Sequence, residues 1–266
     1  MQYFMESEEE ALRLDLKTDG RTVEKQALWA GLSPGMRVAD LGCGAGKTTF
    51  HLNRLVQPAG GTVGVDFSEQ RILYAKKHYH APGISYLLRD IRDPLEDLGL
   101  FDFVWIRFVL EYYNTGSPDI LKNVSKIVKP GGILCLIDLD CNCLRYYGLS
   151  RRLEKTINLL MKSVQDNYDF DPHAGIKLYS YLFDLGFEDI DVSVGSHNLL
   201  FGKLKENDMF NWTKKMEIVG KSLGYEFKDY HGGYKEFCEE LKAAFANPRT
   251  FYYSPLIACR GRKPAQ

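Results

Sequence analysis

Val38-Ala39-Asp40-Leu41-Gly42-Cys43-Gly44-Ala45-Gly46-Lys47-Thr48 is the stretch whose reading decides the fold. An apolar run ends at Asp40-Leu41, three glycines alternate with small residues, and helical patterning begins at Thr48. Glycines at a strand-to-helix junction let the backbone turn sharply and come close to a ligand, while the amides that open the helix attract a polar or anionic group. Two ligand classes that use such loops fit imperfectly. A dinucleotide fingerprint G-x-G-x-x-G requires glycine at position 47, where this chain has Lys47. A phosphate-cradling loop G-x-x-x-x-G-K-[ST] matches Gly46-Lys47-Thr48 but requires glycine at 41, where Leu41 stands. Ile133-Leu134-Cys135-Leu136-Ile137-Asp138 would then supply the apolar strand ending in a magnesium-binding Asp, yet the incomplete glycine set argues against wrapping phosphates.

Outward from the loop, short apolar runs alternate with amphipathic stretches, the pattern of parallel strands joined by crossover helices. Residues 36–41 read as a strand, and 48–55 as a helix ending near Pro58-Ala59-Gly60-Gly61. Residues 62–65 read as a second strand that stops at Asp66, and Ser68 suits the N-cap of a helix over 69–79. Further strands follow at 84–88, at 103–106, and at 133–137 behind the turn Lys129-Pro130-Gly131-Gly132. This rhythm, from about 36 to 138, implies an α/β fold with a doubly wound, mostly parallel sheet. After Asp138 it breaks: 144–184 read as helices, 186–192 alternates like a strand, 203–246 is helical with a break at Gly232-Gly233, and 251–259 reads as a closing strand.

Composition narrows the function. The 266 residues suffice for one large domain or a domain with insertions, at roughly 100–200 residues per domain. Lys+Arg 34 against Asp+Glu 35 gives a net charge of −1, so no overall positive field exists to hold a nucleic-acid backbone or an anionic membrane. The apolar runs fall far short of the ~20 residues that cross a bilayer. The cluster Glu6, Glu8, Glu9 and Glu10 has the wrong charge for a signal peptide, and six sparse cysteines fit reduced thiols. The expectation is a cytoplasmic enzyme or binding protein, monomer or homodimer, with no nucleic-acid or membrane partner.

The same loop resembles the first motif of the class I S-adenosylmethionine-dependent methyltransferases, D-x-G-x-G-x-G after an apolar strand, met without a gap by Asp40 to Gly46. Further matches follow in order: Val63-Gly64-Val65-Asp66-Phe67-Ser68, Arg89-Asp90-Ile91, Phe101-Asp102-Phe103-Val104 and Val128-Lys129-Pro130-Gly131-Gly132. The resemblance covers about residues 30–140. It implies a Rossmann-like sheet of seven strands, with helical insertions forming a lid over the active site, and S-adenosylmethionine as cofactor. Segment 1–35 would be helical and cover the cofactor, and 36–140 would be the cofactor-binding core. Residues 141–185 would be a helical insertion, 186–195 and 250–262 the strands that complete the sheet, and 196–249 a helical lid.

By the resemblance, Asp40, Gly42, Gly44 and Gly46 form the cofactor loop, and Asp66 accepts hydrogen bonds from both ribose hydroxyls. Asp90 and Ile91 match positions that bond the adenine amino group and cover the ring, although a lone Asp at a strand end is as often a turn residue. Phe67 and Arg71 stand where the family places apolar residues near adenine. Arg71 departs from that choice and either stacks on the ring or faces solvent. Arg107 matches a position whose backbone touches the methionine end. In Glu10-Ala11-Leu12-Arg13-Leu14-Asp15-Leu16, Arg13 reaches the methionine carboxylate or else faces solvent on an amphipathic helix.

The chemistry is the least legible part. A methyl group leaving a sulfonium is already reactive, so the protein mainly aligns the partners and excludes water, with a base needed only when the nucleophile must lose a proton. Glu111 is the first candidate for that base. Tyr112, Tyr113, Asp138, Asp140, His173 and His197 also fall where the sheet edge or the insertions approach a ligand. Asp138-Leu139-Asp140-Cys141-Asn142 opens like a calcium loop but has Cys143 where the sixth position needs Gly and Leu149 where the twelfth needs Glu. A magnesium-assisted O-methyl transfer stays open as an alternative. Cys141 and Cys143 could bind a soft metalloid, although two thiols at this spacing without a third are weak evidence, and no metal is assigned. No Asn-Pro-Pro-aromatic, Pro-Cys or basic-arm signature of a nucleic-acid methyltransferase occurs. Aromatics crowd the insertions, among them Tyr146, Tyr168, Phe201, Phe210 and Trp212, and suit a pocket for a small organic acceptor. The expected function is S-adenosylmethionine-dependent O- or N-methylation of such an acceptor. A non-catalytic cofactor-binding sensor is the alternative.

Overall fold

Period-two alternation through β1 (Arg37–Leu41), β4 (Phe101–Arg107) and β5 (Val128–Leu139) sends successive side chains to opposite faces of the sheet. Ala39, Leu41, Val104, Ile106, Leu134 and Leu136 fall in one apolar core, while Val38, Phe103, Trp105, Ile133, Cys135 and Ile137 fall in another. Both faces are therefore apolar, as in a sheet covered by helices on both sides. Helices α5 (Ser117–Ser125) and α7 (Ala174–Asp184) close the first core through Ile120, Leu121, Val124, Leu178 and Leu182. On the other face α2 (Gly20–Trp29) and α3 (Lys47–Val56) supply Val23, Ala27, Leu52 and Val56.

The computed structural model describes residues 9–202, 209, 212, 216 and 224–265. Glu6, Glu8 and Phe210, singled out from the sequence, lie outside them, as does much of the expected 196–249 lid. The sheet order is β3-β2-β1-β4-β5-β8-β6, with β7 also pairing β8; β2 is Gly61–Asp66, β3 Ile84–Leu88, β6 Tyr146–Tyr147, β7 Glu188–Phe201 and β8 Phe251–Arg262. Strands β1 to β5 run parallel, and β8 is antiparallel to both β5 and β7. Ser68 caps α4 (Glu69–His78), its side chain accepting from the Arg71 amide.

Two corrections to the sequence reading concern the late strands. The sheet has eight strands among the described residues rather than seven, because β6 pairs Tyr146 and Tyr147 with Tyr252 and Phe251 beyond the end of β5. Strand β7 continues to Phe201 rather than 195, since β8 starts early enough to keep pairing it at Leu200↔Tyr252. The ordering agent is a third core: α6 (Arg151–Asn167) contributes Leu153, Ile157, Leu160, Met161 and Val164 at helical spacing. α8 (Gly233–Ala246) contributes Phe237, Leu241 and Phe245 to it, and Trp212 and Tyr252 complete it.

Candidate active site

Strands β2 and β3 build outward on one side of β1, and β5 builds outward from β4 on the other, so the strand order reverses between β1 and β4. Open α/β sheets leave a crevice beyond the carboxyl ends of the strands at such a point. That crevice holds about 810 Å³ of non-atom space, part of it open to solvent. Its walls are the loop after β1 (Gly42, Cys43, Gly44, Ala45), Asp66 and Phe67 after β2, Ile91 after β3, and Arg107, Phe108 and Val109 after β4, with Tyr112 and Tyr113 beyond. Helix α1 (Glu10–Lys17) and the residue after it add Leu14 and Thr18.

The loop is shaped by its glycines. Gly42, Gly44 and Gly46 have φ of 78°, 54° and 86°. A Cβ on Gly42 would meet Val109 Cγ2 at 2.4 Å, and one on Gly46 would meet Ala75 Cβ at 2.6 Å. The Gly42 and Cys43 amides both donate to Val65 O, at 2.8 and 2.9 Å, which ties the loop to β2. The Gly44 amide donates to Asp66 Oδ2 at 2.9 Å. Asp66 Oδ1 accepts from the Ser68 amide and from Arg71 Nε, each at 3.0 Å. The Asp66 carboxylate thus has its orientation fixed from both sides, and Oδ2 is the oxygen turned to the glycine loop.

Arg71 is 4% exposed, ion-paired with Asp66 at 3.0 Å and set over the Phe67 ring at 4.8 Å. The solvent-facing alternative is therefore wrong: the guanidinium is the counter-ion of the carboxylate beside it. Arg13 is equally buried, and its Nε and a terminal nitrogen each donate to Glu10 at 2.7 Å. It neither faces solvent nor lines the cleft; Leu14 and Thr18, one turn apart, carry the face of α1 that does. Asp15 anchors this helix, accepting from Tyr74 at 2.8 Å and from Tyr79, and pairing with Lys47 Nζ at 3.2 Å. Lys47 also donates to Asp15 O at 2.9 Å, so the side chain that a phosphate-binding loop needs at its ligand holds helix α1 instead.

Asp40 lies under the loop rather than on the cleft wall. Thr49 Oγ1 donates to it at 2.6 Å. Burial pushes its carboxyl up to about 7, with the Asp66 charge adding to the effect. Burial likewise lowers Arg107 to about 10, against the pull of Asp40 and Asp138. Ile91 lines the cleft, but Asp90 does not: Arg92 Nε donates to both its oxygens at 3.0 Å and, against the upward push of burial, holds it below the usual carboxylate range.

Glu111 also misses the cleft. It is 3% exposed, accepts from Asn142 Nδ2 at 2.7 Å, and gives its amide to Asp138 Oδ2 at 3.1 Å. Asp138 is fully buried, and burial followed by the charge of Glu111 pushes its carboxyl well up. The two acids form an internal pair under the segment that follows β4. Residues that the sequence reading missed include Phe108, with a left-handed φ of 58° at the cleft wall, where the Arg107 guanidinium and His197 both lie against its ring. Non-glycine residues with such backbone are uncommon and gather at functional sites. Leu14 carried a signal, the amphipathic pattern of α1, whereas nothing in the residue type of Phe108 announces its conformation.

A doubly wound sheet with a glycine loop and a strand-end Asp at its switch point defines a Rossmann-like nucleotide-cofactor protein. Residues 32–191 match the family described as a methyltransferase domain, and the chain belongs to that family. It is 34% identical over 109 residues to the demethylmenaquinone methyltransferase of Lactococcus lactis, covering 38% of this chain and 42% of that protein. To the ubiquinone biosynthesis O-methyltransferase of Colwellia psychrerythraea it is 27% identical over 176 residues, covering 65% and 69%. The chain thus spans less than half of the first relative and about two thirds of the second. In fold it is similar to the Haemonchus contortus phosphoethanolamine N-methyltransferase 2 solved with S-adenosylhomocysteine, with a TM-score of 0.60 at 14% identity over 99% of this chain and 61% of that one.

Proposed function

We propose that the chain transfers the methyl group of S-adenosylmethionine to a small organic acceptor at oxygen or nitrogen. The observation that carries this reading is the convergence of the unbroken Asp40–Gly46 loop and Asp66 on one cleft at the switch point. In that cleft Asp66 Oδ2 receives the ribose hydroxyls, and Ile91 and Phe67 flank the base. The loop backbone from Gly42 to Ala45 and the Arg107 segment hold the methionine end. Asp40 shapes the loop from beneath, and Asp90, committed to Arg92, orders the turn that presents Ile91. Tyr112 and Tyr113 offer rings to a sulfonium, a contact worth about 0.5–2 kcal/mol depending on desolvation, whereas the Phe108 ring is already met by Arg107, Lys17 and His197.

The relatives named for quinone methylation and the near-neutral charge support a small acceptor over nucleic acid. Among the described residues no helix is long and apolar enough to cross a membrane, and the six cysteines are free thiols, which supports a reducing cytoplasmic setting. Glu111, turned into an acid pair away from the cleft, is not assigned the base. Transfer of labelled methyl from S-adenosylmethionine to a panel of catechols, hydroquinones and amines tests the activity: one acceptor class is expected to be labelled. Cofactor binding with no transfer to any class would overturn it.

A further inference from the structure

Asp140 and Cys141 belong to one segment and His173 to another, 32 residues beyond Cys141; one backbone bond joins the two, and a further bond fixes each in place. The Asn142 amide donates to Pro172 O at 3.0 Å, the Asp140 amide to Pro255 O at 3.0 Å, and the His173 amide to Asp171 Oδ1 at 2.9 Å. The result brings three different donor types to one point: Cys141 Sγ lies 3.3 Å from Asp140 Oδ2 and 3.7 Å from His173 Nδ1, and Nδ1 lies 2.8 Å from Asp140 Oδ1. Among the described residues this is the one such group of His, Cys and acidic side chains whose ligand atoms all lie within 4.8 Å.

Two readings of a Cys, His and Asp set compete. A nucleophilic relay needs the base to face the thiol with one ring nitrogen and the carboxylate with the other. Here both contacts fall on Nδ1, so a relay is not formed. Convergence of all three donors on one side of a single point is instead what a metal ion requires. Tetrahedral zinc, with bonds of about 2.3 Å to sulfur and 2.0–2.2 Å to nitrogen and oxygen, sets its donors roughly 3.3–3.6 Å apart. The separations of 3.3 Å from sulfur to Asp140 Oδ2 and 3.7 Å from sulfur to His173 Nδ1 lie within a few tenths of an ångström of these values. The carboxylate, which meets the imidazole through its other oxygen at 2.8 Å from Nδ1, needs only to turn one oxygen toward the ion.

We propose that Asp140, Cys141 and His173 form a binding site for one zinc-class divalent cation. The mixed thiolate, imidazole and carboxylate set suits a borderline-soft ion rather than magnesium or calcium. Three protein ligands leave a fourth position, and His173, whose side chain is 41% exposed, forms the rim through which an ion and its water enter. On binding, Cys141 loses its thiol proton to solvent as the sulfur–metal bond forms. His173 ligates through the Nδ1 lone pair with its proton on Nε2, and Asp140 ligates as the carboxylate. Burial and the Asp140 carboxylate push the Cys141 thiol up, against the pull of Arg145, so it is the ion that displaces the thiol proton. Cys143 takes no part: two residues on, it is buried in the aromatic core under the insertions. The site stands independently of the methyl-transfer reading.

Chelator-treated full-length chain, titrated calorimetrically with zinc chloride alone, is expected to bind one ion. Cys141→Ser and His173→Ala should each weaken that binding at least about tenfold, while Cys143→Ser should not. Cobalt chloride should give a thiolate charge-transfer band in the parent and in Cys143→Ser that is missing from Cys141→Ser. Far-ultraviolet circular dichroism checks that the variants are folded, and should either Cys141→Ser or His173→Ala not fold, the cobalt band in the parent against Cys143→Ser still decides. No stoichiometric binding, or undiminished binding in both ligand variants, would overturn the site.

Discussion

Asp66 shows how a single carboxylate is prepared for a ligand. Arg71 neutralises it, the Ser68 amide and Arg71 hold Oδ1, and the Gly44 amide aligns Oδ2 with the loop. On the proposed role, replacing it with Ala would remove two charge-assisted hydrogen bonds to the ribose at roughly 1.5 kcal/mol each, so Asp66→Ala should weaken S-adenosylhomocysteine binding about 100-fold in an isothermal titration. Lys47→Ala should cost only a few-fold, because Lys47 bonds Asp15 and Asp15 keeps Tyr74 and Tyr79. Asp40 gives a pH signature. Its carboxyl titrates near 7 folded and near 3.8 unfolded, so between those values the native state binds the extra proton and stability falls as pH rises. Asp40→Asn deletes that contribution. From pH 5 to pH 8 the variant should gain roughly 3 kcal/mol relative to the parent in urea unfolding, whereas parallel curves would contradict the assignment. That Gly42, Gly44, Asp66 and Ile91 would line a cleft was legible, because a cleft built from backbone approach and strand ends demands those residue types. The partners of Arg13, Arg71 and Asp90 were not, because each is set by rotamer choices among oppositely charged residues a few positions away.

At the scale of elements, the strands of the parallel half were legible to within a few residues, since a strand buried on both faces is a continuous apolar run bounded by turn residues. β6 and the extension of β7 were not, because two-residue pairing and late register depend on where β8 begins rather than on local pattern. Helix α1 was visible as an amphipathic segment, but which face meets the cleft depends on the Asp15 anchor. Asp15→Ala removes that anchor. It should speed cofactor dissociation in stopped-flow displacement with little change in melting temperature, and an unchanged rate would show that α1 does not cover the ligand. Gly46→Ala strains a position with φ of 86° and presses on Ala75, and is expected to cost about 1–3 kcal/mol in denaturant unfolding.

Across the whole molecule, two cores clamp the faces of the sheet and a third, aromatic core sits under the insertions. The first two follow from strand alternation, and they place the cleft at the switch point without reference to any acceptor. The third draws on α6, α8 and β8 together, so its aromatics are mostly packing, and the cleft wall takes one aromatic from the margin of each core: Phe108, Tyr112 and Tyr113. A chain of −1 net charge has no long-range field for a polyanion, so on the proposed function acceptor selection would fall to this local wall. The central claim is that the cleft between β1 and β4 is an S-adenosylmethionine site. Calorimetric titration of the chain with S-adenosylmethionine and S-adenosylhomocysteine tests it most directly: one equivalent of each is predicted to bind, and no binding of either at millimolar concentration would contradict the account.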